Sequence, residues 1–276
     1  MNLKLRSVFF WILSLILMLS LSVYQRMTGP TKPVRGKAEI GGSEISYKLI
    51  RTWGENSDAK VSVSVPDEKI NGRFIYKRYK SHDEWASMDL IREDELLVAY
   101  LPKLPPAGKM MYHVYLSSDE KEELLNAEPA ILRYKGSVPS HFLIPHILFM
   151  FLAMLFSMRT GFEALFIRKN TYRLAMLTTI FLVVGGLIFG PIVQKYAFDA
   201  YWTGWPLGTD LTDNKTAVAF IFWLIALIVL RKKRQNRIWP LIAAIVLIVI
   251  YIIPHSMLGS EIDFTKQEEI QNIQQS

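Results

Sequence analysis

The sequence predicts an integral membrane α-helical bundle of five transmembrane helices joined to an extracytoplasmic all-β sandwich domain. Three observations predict it: five long uncharged apolar runs, a polar stretch in which apolar residues alternate, and basic clusters that recur on one side of the runs. Of the 276 residues 51% are hydrophobic, and the apolar residues are concentrated rather than spread. The uncharged runs fall at residues 7–23, 141–158, 174–194, 216–230 and 238–255. Each approaches the roughly 20 residues that a helix needs to cross a hydrocarbon layer of ~30 Å. Within lipid only a helix satisfies the backbone of such a run internally.

The first segment, residues 1–23, reads as a signal-anchor helix. Lys4 and Arg6 precede its apolar middle, and the following LSVYQRMTGP lacks a small-x-small cleavage site, so the anchor is expected to be retained. With Lys4 and Arg6, two further basic groups set the orientation: Arg159, Arg168, Lys169 and Arg173, then Arg231, Lys232, Lys233, Arg234 and Arg237. If the runs alternate in direction, all three groups lie on one side, which the positive-inside rule makes the cytoplasm. The expected location is a cell membrane, multi-pass, such as a bacterial inner membrane, with the amino terminus inside and the carboxyl terminus outside. The net charge of +7 is then a record of topology, and nucleic acid is not expected as a partner. The chain has no cysteine, which excludes disulfides and thiolate chemistry.

Residues 24–138 are polar enough to fold in water. Ile45, Tyr47 and Leu49, then Val61, Val63 and Val65, alternate with polar residues at the period of half-buried strands. GG at 41–42, GENSD at 54–58, NG at 71–72, RED at 92–94 and LPPAG at 104–108 mark turns. SSDEKEELLNAE, 117–128, reads as a helical turn or long crossover. LPPAGKMMYHVYL, residues 104–116, resembles the turn and tyrosine-bearing strand of fibronectin type III and immunoglobulin-like domains, with Tyr112 at the tyrosine-corner position. The resemblance implies a sandwich that binds proteins or sugars or acts as a spacer, and it carries over no functional residue.

Residues 139–256 form the four-helix transmembrane domain and 257–276 an extracytoplasmic tail; this part resembles bacterial membrane proteins and imports no activity. No Asp, Glu, Lys or Arg lies within the apolar runs, which disfavours a charge-coupled transporter. Gly186 and Gly190 form a small-x-x-x-small pair suited to close helix packing, and Pro191 is expected to kink or end that helix.

His141, His146 and His255 lie toward the outer helix ends. His146 and His255, with His141 as an alternative, could hold haem or a metal, imidazole being the commonest side chain for either task. His141 and His146 project about 140° apart on a regular helix and cannot share one ion. Asp210, Asp213, Glu261 and Asp263, with His255, could form an oxygen and nitrogen site for a divalent cation. A solvated acidic rim explains the same residues, and Thr212 or Asp213 could cap the fourth helix. The aromatic residues of WTGWPLGTDLTDNKT, 202–216, suit the headgroup layer. There is no Walker loop, nucleophile elbow or zinc-binding helix pair.

The expected function is therefore non-enzymatic: an accessory subunit or scaffold in the lipid bilayer whose outer domain recognises a protein partner. The alternatives are a membrane redox or metal-binding protein using the histidines, and a small-molecule channel or uncoupled carrier.

Overall fold

The computed structural model describes residues 2–118, 121–254 and 259–275. The chain forms two compact units. One is helical, comprising Met1–Pro30, Val138–Tyr196 and Ala200–Ser260; the other is β-rich, comprising Thr31–Ser137, Ala197–Asp199 and Glu261–Ser276.

The helical unit begins with α1 (Leu3–Thr28), whose first turn is capped by the Asn2 side chain accepting from Lys4 N. α2 (Ser140–Phe162) continues into a π-helical turn, Glu163–Ile167. α3 (Thr171–Leu182) passes through a second π-helical stretch, Val183–Phe189, into α4 (Gly190–Phe198). α5 (Leu211–Lys232) and α6 (Ile238–Ile252) complete the unit. Among the described residues four helical spans are long and apolar enough to cross a membrane: Leu3–Thr28, Ser140–Ile167, Thr171–Phe198 and Leu211–Lys232. α6 is apolar but has only 15 residues, so length identifies four of the five expected crossings.

Small residues let these helices approach. Met154, Ala175, Leu182, Ala219, Trp223, Ala226, Ala243 and Leu247 form the buried centre. A Cβ on Gly186 would lie 2.7 Å from Thr216 Cγ2 of α5, and one on Gly185 would lie 2.9 Å from Phe149 Cβ of α2. One on Gly190 would meet nothing closer than 3.5 Å. The tight approaches are thus at two adjacent glycines serving two neighbours, because the π-helical winding abolishes the regular spacing on which a 186/190 face depends. Pro191 does not end the helix, which winds without a break from the π-helical stretch through Pro191 into the rest of α4.

The spans are not free of charge. The helices run beyond the uncharged runs and carry Arg159, Glu163, Asp213 and Lys215, each at most 7% exposed. Arg159 Nη1 lies 2.8 Å from Glu163 Oε2. The other Glu163 oxygen accepts from Lys169 N at 2.9 Å and Asn170 N at 2.8 Å, which holds the chain reversal after the π-helical turn.

In the β-rich unit, β1 (Val34–Ile40) and β2 (Ser43–Leu49) form a hairpin closed by Gly41 and Gly42 at φ 55° and 78°, the left-handed conformation such two-residue turns demand. β3 (Thr52–Trp53), β4 (Ala59–Ser64), β5 (Asn71–Arg78), β6 (Ala86–Asp89), β7 (Ile91–Glu93), β8 (Leu96–Leu101), β9 (Lys109–Ser118), β10 (Lys121–Leu124) and β11 (Ala130–Tyr134) follow. One sheet has the order β3-β11-β9-β5-β6 with β10 on β9; a second is β4-β8-β7. Among the described residues all pairings are antiparallel except β11 with β3. α7 (Phe264–Gln275) belongs to this unit and buries Phe264.

Alternation builds its core. Met110, Tyr112, Val114 and Leu116 of β9 point inward with Val61 and Val63 of β4, Phe74 of β5, Leu97 and Leu101 of β8 and Leu132 of β11. Each such side chain contributes about 1.5–3 kcal/mol on burial. This several-sheeted β-rich unit is compatible with a sandwich. Two local expectations fail. Asn71 and Gly72 open β5 instead of turning, since a Cβ on Gly72 would lie 2.7 Å from Tyr115 O of the paired strand. Lys121–Leu124, expected to be helical or a crossover, pairs as a strand with β9. The Tyr112 hydroxyl donates to Ile50 O, 62 positions earlier, a longer tie than that of a tyrosine corner, which reaches a few residues.

Candidate functional site

The loop between α4 and α5 folds onto the start of α5. Asp210 is the N-cap, its Oδ1 accepting from Thr212 N at 2.7 Å. Its Oδ2 accepts from Ser260 N at 2.7 Å and Ser260 Oγ at 2.8 Å. Asp213, one turn in, accepts from Thr203 N at 2.6 Å, Gly204 N at 3.0 Å and Gln194 Nε2 at 3.0 Å. Asn214 Oδ1 takes the next donor, Trp205 N, at 2.7 Å. Three successive loop N–H groups are therefore held by two side chains of one helical turn. Gly204 is required there, because a Cβ would lie 2.6 Å from Asp213 Cβ. Burial pushes the Asp210 carboxyl up, but the hydrogen bonds from Ser260, Thr212 and Thr203 outweigh it and hold the group below its ordinary value.

The other expected ligands are placed as follows. Glu261 lies in the β-rich unit, ion-paired with Lys80 and Lys109. Asp263, in the same unit, accepts from Lys266 N at 3.3 Å. Burial opposes ionisation of Glu261, yet the two ammonium groups keep its carboxyl below the ordinary range. His141 is exposed beside Phe142. His146 Nδ1 lies 2.9 Å from Gly185 O, so Nδ1 carries a proton donated to that carbonyl, and in the neutral ring Nε2 is the nitrogen with the lone pair. His255 lies outside the described residues. Among the described residues no three His, Asp or Glu side chains are grouped to hold a metal ion.

Two features missed in the sequence have the form of sites. In the helical unit, Lys215 is 7% exposed and donates to Ile253 O at 2.9 Å and Pro254 O at 3.1 Å, the carbonyls at the end of α6. Beside it lies a cavity of about 20 Å³ to which α1, α2, α3, α5 and α6 all contribute, through Gln25, Met150, Leu182, Thr212, Thr216, Ala219, Ile250 and Tyr251. Lys215 sits in the DNKT of the loop sequence, one residue short of the apolar run, so a charge count over that run misses it.

In the β-rich unit, a cleft of about 340 Å³ separates residues 43–46 of β2 from residues 64–67 at the end of β4. β2 pairs only with β1 and β4 only with β8 among the described residues, so each presents one row of backbone groups to no ladder. The buried side chains of Ile45, Val65 and Ile70 form the floor; Ser43, Glu44, Ser46, Ser64 and Asp67 line the rest with Pro66. No sequence pattern marks an edge as unpaired.

No protein-family model, curated protein or solved structure matches this chain.

Proposed function

We propose that the protein is a non-enzymatic multi-pass membrane component, an accessory subunit or scaffold, whose β-rich unit recognises a protein partner. The cleft between the unpaired rows of β2 and β4 carries this reading. β2 and β4 approach within 8 Å at Cα, closer than the ~10 Å that an intervening strand needs, so a partner segment would lie across the rim of the cleft, against Ser43, Glu44, Ser46, Ser64 and Asp67. Ile45, Val65 and Ile70 close the floor from below as part of the core, and the Glu44 and Asp67 rim favours a segment with basic residues.

The membrane reading has five crossings, amino terminus inside, with the β-rich unit as an extracytoplasmic immunoglobulin-like sandwich. It is supported by the three basic clusters, all on one side if the helices alternate. α6 would be a short crossing, about 22 Å by its 15 residues, with local thinning of the bilayer taking up the mismatch. The carboxylates of the α4–α5 loop are occupied by backbone donors, which suits a structural rather than a catalytic loop.

The cysteine-free chain makes the test clean. Ser46→Cys, and Ser87→Cys on β6 away from the cleft, would each carry a photo-crosslinker in native membranes. A discrete protein adduct from position 46 and none from 87 is expected. Equal labelling at both positions, or adducts at neither, would remove the partner-recognition reading.

A further inference from the structure

We propose that the cavity at Lys215 binds a small monovalent anion of about the size of chloride. This stands independently of the partner reading, since it concerns the helical unit alone. A buried cation inside a membrane helix is costly unless a negative charge meets it. Arg159 has Glu163 at 2.8 Å, but Lys215 has no carboxylate within 4 Å among the described residues. Its two hydrogen bonds go to the neutral carbonyls of Ile253, the C-cap of α6, and of Pro254 beyond it, which supply only partial negative charge. Asp210 acts on it electrostatically from beyond ion-pair distance, and that carboxylate is already taken up by Ser260 and Thr212.

The cavity supplies what the carbonyls do not. It abuts Lys215 within the first two turns of α5, where the helix N-terminus adds further positive potential. Its lining is mixed: Thr212 and Tyr251 give polar groups, Gln25 Nε2 and the Thr216 hydroxyl donate to the backbone carbonyls of Tyr251, Ile253 and Thr212, and Met150, Leu182, Ala219 and Ile250 exclude bulk water. At about 20 Å³ it admits a water or a halide, and leaves no room for a phosphate group or an acyl chain. Lys215 is the fifth residue of α5, about 6 Å below the start of the helix, shallow enough for exchange with solution.

The test uses the full chain in detergent, with sodium chloride against sodium gluconate at constant ionic strength. Saturable broadening of the ³⁵Cl resonance, displaced by bromide, and a thermal midpoint that rises with chloride and not with gluconate are expected. Both responses should be lost in Lys215→Met and kept in Lys233→Met, an exposed lysine beyond the site. If the Lys215→Met chain does not fold, the wild-type measurement alone decides. Absence of saturable broadening, or a response that survives in folded Lys215→Met, would overturn the assignment.

Discussion

Replacing Glu163 by Gln tests the charge pair that holds the end of α2. The side chain keeps its size and an oxygen able to accept from Lys169 N and Asn170 N, at 2.9 and 2.8 Å in the native protein. What is removed is the negative charge 2.8 Å from Arg159, whose side chain is 3% exposed. The guanidinium would retain Ser7 Oγ at 3.1 Å and the face of Trp11 at 5.4 Å, neither of which neutralises it. Orphaning a buried charge in this way costs about 3–5 kcal/mol, whereas replacing both partners by neutral groups is close to neutral. At about 2–4 °C per kcal/mol for a large domain, Glu163→Gln should lower the thermal midpoint by roughly 6–20 °C. Glu163→Ala should cost more, because two backbone N–H groups also lose their acceptor. The double variant Arg159→Met/Glu163→Gln should recover most of the loss. The assay is thermal unfolding in one detergent of wild type, Arg159→Met, Glu163→Gln and their double variant, read as a double-mutant cycle, with Glu163→Ala measured beside them. A Glu163→Gln midpoint within about 2 °C of wild type, or a double variant less stable than the single one, would refute the reasoning.

Two further outcomes follow from the packing and the loop. Gly186→Leu must displace Thr216 of α5 and should destabilise the helical unit, whereas Gly190→Ala, with no contact inside 3.5 Å, should leave the midpoint nearly unchanged; equal effects would contradict the placement of the close approach. Because the Asp210 carboxyl is held below its ordinary value of 3.8, its contribution is complete above that pH and is lost as pH falls through the lower native value. A spin label on Leu207→Cys, at an exposed loop position, should become mobile only under such acid conditions, and at higher pH in Ser260→Ala; mobility independent of both would refute the capping role.

The sequence makes the large features legible through their periods. Uncharged runs locate the apolar helices, and alternation in residues 110–116 and 61–65 places the inward faces of β9 and β4. Local turn chemistry is legible where φ must be positive, as at Gly41 and Gly42. It misleads at Asn71 and Gly72, where the glycine is required by the approach of another strand and not by a turn. Charges within the spans are invisible to a run count, because Arg159 and Glu163 follow the end of one uncharged run and Asp213 and Lys215 precede the start of another. Their burial depends on which residues far away in the chain pack beside them: Ser7 for Arg159, Ile253 for Lys215. The acids of the α4–α5 loop are plain in the sequence, but their partners, consecutive backbone N–H groups, leave no mark in residue type.

The β-rich unit is assembled from three separate stretches of chain, with Ala197–Asp199 and Glu261–Ser276 joining the main segment. Ala197 O accepts from Gly136 N at 3.0 Å, Phe198 stacks under Arg133, and Arg78 reaches Glu268 at 2.6 Å. Completion of the domain is consequently deferred during synthesis: the eleven strands can emerge and pair early, but the final contacts must wait until the ribosome has also made α3 to α7. A fragment cut at residue 137 would release a domain lacking two of its own pieces. Maturation of the β-rich unit and completion of the helical unit are thereby tied into one event, so a chain interrupted in its last quarter leaves both unfinished.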